Sequence, residues 1–115
     1  MSEVIYHMCR AEAWAAAVVA GSYDGSEDDR RDGFIHFSTA GQVRESARRH
    51  RRGQAGLVLI AVEAGRLGDR LRWEPSRGGA LFPHLYGKLS PDEVSEVVKL
   101  PLGPDGEHVF PKLRD

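Results

Sequence analysis

Between Gly56 and Glu63 the chain reads GLVLIAVE, an unbroken aliphatic run too short for an ordinary helix. That pattern predicts a central strand covered on both faces. DRLRWE instead sets Leu71 and Trp73 against Arg70, Arg72 and Glu74 with a period of two, which predicts a half-exposed strand ended by Pro75. EVIYHMC, Glu3 to Cys9, is short and rich in β-formers and predicts a first strand, and GFIHF, from Gly33, a second. Two longer segments carry helical spacing. RAEAWAAAVVAG places its alanines, Trp14, Val18 and Val19 on a helix that closes at Gly21. STAGQVRESARRHRRG opens on a capping box, Thr39 with Gln42, and closes on Gly53.

The intervening segments are shorter and more polar. Residues 22–32, SYDGSEDDRRD, are acidic and turn-rich and predict a mobile surface loop. In PSRGGALFPHLYGKL a glycine-rich loop leads to FPHLYG, where Pro83 argues against a central strand position. SPDEV, with Ser90 as cap and Pro91 at the first helical position, predicts a short helix. EVVKLPLGPDGEHVFP predicts two strands about a GPDG turn. The order is strand, helix, strand, helix, then mostly strands, which is the order of an α+β fold with two main helices.

At 115 residues the chain has the size of one domain, taken as residues 1–115. A formal net charge of −1 gives no global pull toward nucleic acid or acidic membrane. The basic run RESARRHRR lacks interleaved aromatic side chains and reads as a solvated helix face, so no nucleic-acid partner is expected. A single cysteine, Cys9, precludes an intrachain disulfide and a cysteine-built zinc site. No stretch approaches a membrane span or a secretory leader, so the expected setting is the cytoplasm, with no membrane partner.

Candidate chemistry centres on histidines set among apolar residues: His7 in IYHMC, His36 in FIHFST and His84 in FPHLYG. Any one of them can be a core imidazole bonded to a backbone carbonyl. His36 and Ser38 point to one face of an extended chain, and Thr39 stands at a helix start, where an imidazole, a hydroxyl and free backbone N–H groups suit an anion. His84 and Tyr86 share a face in the same way. Glu74, at a strand end, is a candidate base or ribose-hydroxyl acceptor as well as a plain surface charge. A zinc site from His7, His36 and His84 would need tertiary proximity, and no metal is assigned.

IYH, GFIHFST, LVLIAVE, LRWE and FPHLYG together resemble a small bacterial family, the domain of unknown function numbered 952, from Tyr6 to Pro111. That family resembles the ADP-ribosyltransferase superfamily in fold, which implies a split, antiparallel or mixed sheet around an NAD-binding cleft. In that likeness His7 occupies the position that contacts a ribose, and His36, Phe37 and Ser38 the strand-to-helix motif. The late strand, where classical transferases carry a glutamate, here offers His84 and Tyr86, with Glu74 nearby.

Three functions follow as expectations. The first is an uncharacterised nucleotide-binding protein, for NAD or an ADP-ribose-like ligand, with His36 and His84 as catalytic groups and His7, Ser38, Thr39, Glu74 and Tyr86 as ligand contacts. The second is a histidine-dependent phosphoesterase using His36-Phe37-Ser38 and His84-Leu85-Tyr86. The third is a non-catalytic ligand-sensing or interaction module whose histidines form a rigid polar network.

Overall fold

A computed structural model describes residues 3–115. The aliphatic run forms β4 (Leu57–Glu63), with β1 (Val4–Arg10) antiparallel on one side and β7 (Val94–Leu100) on the other. A two-residue strand, β3 (Ser38–Thr39), completes a sheet of order β3-β1-β4-β7. The alternation of β1 explains why β4 is apolar up to Glu63. Ile5, His7 and Cys9 face a core shared with Trp14, Tyr23, Ile35, Phe37, Ile60 and Leu85, whereas Val4 and Tyr6 pack with Val43, Leu59 and Leu100 on the opposite face. The sheet is therefore buried on both sides, and all of β4 except Glu63 is buried.

A second antiparallel sheet has the order β2-β6-β5, from β2 (Ile35–His36), β6 (Leu81–Leu85) and β5 (Leu71–Pro75). The segment expected as one strand from Gly33 to Phe37 is thus divided between sheets. Residues 35 and 36 pair with β6, residues 38 and 39 pair with β1, and the buried Phe37 makes the crossing, its N–H donating to the Pro83 carbonyl at 3.0 Å. Pro83 lies in the central strand after all. The nitrogen that cannot donate points to the same side as its carbonyl, toward Phe37, so the one bond that proline withholds falls at the end of β2 and the ladder to β5 is untouched.

Three α-helices are present among the described residues. In α1 (Ala11–Ala20) Trp14 and Ala17 are buried and Gly21 caps the end at φ 85°, but Val18 and Val19 turn to solvent, Val19 being 91 % exposed. The helix meets the core along a narrower stripe than the spacing predicts. The acidic segment expected as a mobile loop contains α2 (Glu27–Asp32), nucleated by a reciprocal cap between Ser26 and Asp29. In α3 (Ala40–His50) Thr39 is the cap residue, and Gln42 returns a bond to its N–H at 3.0 Å. This helix ends at Arg51 rather than Gly53.

Ser90-Pro91 starts a single 3₁₀ turn before β7. The GPDG turn forms, with only an isolated bridge between Leu102 and His108 beyond it, so the second expected strand is absent among the described residues. Its sequel serves packing instead: Phe110 and Leu113 cover the outer face of the four-stranded sheet, and the Arg114 N–H donates to the Tyr6 hydroxyl at 2.8 Å. No described helix is long and apolar enough to cross a membrane.

Candidate functional site

A cavity of about 360 Å³ opens between the sheets, bordered by β1, α2, the β2–β3 crossing, one side of α3 and β6. His7, His36 and His84, which are dispersed in the sequence, all line it. Each is held differently.

His7 is fully buried on the inner face of β1. A carbonyl can only accept, so its Nδ1–H donates to the His36 carbonyl at 2.7 Å, and its Nε2 accepts from the Tyr23 hydroxyl at 2.7 Å. Burial lowers its pKa, against the pull of Asp29, and the ring is neutral. Tyr23 is pinned by paired backbone bonds to Leu89, each 2.8 Å. Its phenol contacts the Cys9 thiol, and burial pushes the thiol up to about 11 and raises the phenol as well. Cys9 is therefore an inert core thiol.

His36 is the opposite case. Its Nδ1–H donates to Asp29 Oδ1 at 2.5 Å, and its Nε2 lies 3.1 Å from Asp32 Oδ2. The bond to Asp29 outweighs partial burial, and the charges of Asp29, Asp32 and Asp28 add to it, so the pKa is raised and the imidazolium form is favoured. Asp29 is only 2 % exposed. Burial disfavours its charge, but His36, His7 and the backbone N–H groups of Ser26 and His36 more than offset this and hold the carboxyl well below the usual range. This carboxylate joins α2 to β2, because it also accepts from the Ser26 N–H at 2.7 Å and the His36 N–H at 3.1 Å. The turn before α2 needs glycine: Gly25 has φ 96°, and a Cβ there would stand 2.5 Å from Asp29 Cβ.

His84 is buried on β6, directly across from His36, with ring centroids 5.5 Å apart. Its Nδ1–H donates to Glu74 Oε1 at 2.8 Å, and the same oxygen accepts the Tyr86 hydroxyl at 2.7 Å. Phe34 stacks on the ring at 4.0 Å. The buried side-chain polar atom left without a partner among the described residues is His108 Nδ1, so His84 Nε2 keeps access to solvent. The two bonds lower the Glu74 pKa, that to His84 first, and the bond to Glu74 raises that of Tyr86.

The α3 wall has another character. It contributes Ser46, His50 and Arg51, none of them acidic, and the buried Ser38 and Ser46 hydroxyls lie 3.2 Å apart. Thr39 and the α3 N-terminus do not line the cavity. The cap bonds occupy that end, and Gln42 Nε2 reaches the Leu81 carbonyl at 2.8 Å. Glu74 and Tyr86 also stand outside the lining and reach it only through His84. Among the described residues no group of histidine, cysteine or acidic side chains is placed to hold a metal ion.

The histidines, Ser38 and the Glu74–Tyr86 pair were visible as sequence motifs; Asp29, Asp32, Tyr23 and Arg51 were not. A local signal did exist for Asp29. Ser26-Glu27-Asp28-Asp29 is a capping box with aspartate in the returning position, hidden by the acidity around it.

Comparison with known proteins agrees with this architecture and names no activity. The chain is similar to protein CC0527 from Caulobacter crescentus. With its crystal structure it shares 48 % identity over 92 % of this chain and 93 % of that one, with a TM-score of 0.89. With its solution NMR structure the identity is 49 % over 90 % of each chain, and the TM-score is 0.82. No curated protein matches. The family model described as "Protein of unknown function (DUF952)" matches residues 8–97, most of the chain, which therefore belongs to the DUF952 family.

Proposed function

We propose that the cleft between the two sheets binds a ribose-bearing nucleotide ligand of the NAD or ADP-ribose class, and that His84, oriented by Glu74, is its proton-transfer group. The observation that carries this reading is the convergence of three imidazoles with different proton inventories on one cavity. His7 has both nitrogens committed inside the protein and acts as a positioning residue, setting the His36 backbone. His36 has both ring nitrogens turned to carboxylates, which favour its protonated form. Only His84 combines a carboxylate on Nδ1 with an uncommitted Nε2, the arrangement of an imidazole that can take or give a proton. The cavity volume falls in the range of roughly 300–1,000 Å³ usual for small-molecule sites. The resemblance to ADP-ribosyltransferases supports the ligand class.

Calorimetric titration of NAD, NADP and ADP-ribose into wild type and His84→Gln, at matched folding, tests the reading. Saturable binding by wild type, with any turnover lost in the variant, is expected. Absence of heat with all of them would overturn the ligand class.

The phosphoesterase alternative draws on the cross-strand pairing of His36 with His84. It is weaker, because the His36 nitrogens face carboxylates and Ser38, in the other sheet, turns to Ser46 on α3. Hydrolysis of a cyclic phosphodiester by wild type would reverse the order.

A further inference from the structure

The walls of the cavity are unequal in charge. Asp28, Asp29 and Asp32 all belong to α2, and all are engaged: Asp29 and Asp32 share His36, at 2.5 and 3.1 Å, and Asp28 and Asp32 share Arg31, at 3.4 and 3.3 Å. The α3 wall has no carboxylate of its own. Arg51, half-buried at the end of α3, has no carboxylate within ion-pair distance among the described residues; its guanidinium donates to the His50 carbonyl at 3.2 Å. A guanidinium has more donors than that bond uses and no acceptor.

The paired serines add a donor. Ser38 Oγ and Ser46 Oγ, both buried, share one hydrogen bond of 3.2 Å. Two hydroxyls bring two hydrogens, and one bond uses one of them, so the accepting serine still has an O–H to direct elsewhere. Both line the cavity. A wall that offers a guanidinium and a hydroxyl hydrogen, opposite carboxylates held by His36 and Arg31, is complementary to an oxyanion with several acceptor atoms.

From this we infer that the α3 wall is a phosphoryl-recognition subsite in which Arg51, Ser46 and Ser38 receive the phosphate of the bound ligand. The inference rests on the reading of the cavity as a ligand site and narrows the ligand to one carrying a phosphoryl group at that end. The helix flank, not the capped α3 N-terminus, does the binding.

The probe is inorganic phosphate, titrated at constant ionic strength while the His36 and His84 ring resonances are followed by NMR, with wild type, Arg51→Gln and Ser46→Ala compared at matched melting temperature. Saturable perturbation in wild type, with affinity about tenfold weaker in Arg51→Gln and several-fold weaker in Ser46→Ala, is the expected result. Unsaturable shifts reproduced by chloride, or equal affinity in Arg51→Gln, would overturn it. Repeating the titration with ADP-ribose and with adenosine separates this inference from the wider reading. Arg51-dependent phosphate binding without ADP-ribose binding keeps the subsite and removes the nucleotide class. ADP-ribose binding that ignores Arg51, or is matched by adenosine, removes the subsite and keeps the cleft.

Discussion

His36 Nδ1 lies 2.5 Å from Oδ1 of Asp29, a carboxylate buried on a six-residue helix and also bonded to the His36 backbone N–H at 3.1 Å. One side chain thereby holds α2 against the strand that carries the site. The charge of the pair makes this attachment pH-dependent. The Asp29 carboxyl is held below its ordinary 3.8, so its contribution is present above that value and is lost as acid is added. The His36 pKa is raised above 6.5, so its contribution is complete below 6.5 and is lost as pH rises through the folded value. The stability difference between wild type and Asp29→Asn is expected to be greatest between about pH 4 and 6.5 and to narrow on both sides. Because His36 is 41 % exposed, about 2 kcal/mol is expected at the maximum. Urea unfolding of both proteins across pH checks this; a difference independent of pH would contradict it.

Two imidazoles of one cavity titrate in opposite senses. The neutral, buried His7 is expected to protonate only below its ordinary 6.5, and His36 to remain protonated above it. An NMR pH titration of the ring protons reads both at once. If the two curves coincide, the hydrogen-bond assignment of the site is wrong.

Tyr23→Phe removes the donor to His7 Nε2 and the partner of Cys9 while keeping the ring. Leaving a buried nitrogen unpaired is expected to cost about 1–3 kcal/mol, measured by denaturant unfolding. With its thiol pushed up to about 11, Cys9 should resist a disulfide reagent at pH 8 in native wild type and react at the rate of opening. Faster labelling of Tyr23→Phe is expected from its lower stability, and rapid labelling of native wild type would refute the burial argument.

Glu74→Ala removes the acceptor shared by His84 and Tyr86. Without it, neutral His84 is expected to lose its fixed Nδ1–H tautomer, visible in the ring nitrogen shifts, and the phenol of Tyr86 to titrate closer to its ordinary 10.0, visible in ultraviolet absorbance. Unchanged tautomer and phenol titration would show that Glu74 is a surface charge only.

Much of the framework follows from local pattern. The unbroken GLVLIAVE run is central because residues of alternate parity must be apolar on both faces, and the caps at Thr39 and Ser90 mark starts that steric and hydrogen-bonding rules dictate within a few residues. The parity of β6 likewise places His84 on the face of its cross-strand partner His36. Other features have no local cause. Val18 and Val19 fit a helix but are exposed, and Pro83 is tolerated in a central strand because its partner strand ends beside it. Asp29 is acidic among acidic residues; what distinguishes it is that packing removes it from water and supplies His36 as compensation. Which face a residue takes within one strand or helix is legible locally, since those periods are properties of the backbone, but the break of one strand into two sheets at Phe37 is not. Which polar groups leave water, and which partners they meet there, follows from the packing of elements distant in the chain, because desolvation is a property of the assembled fold.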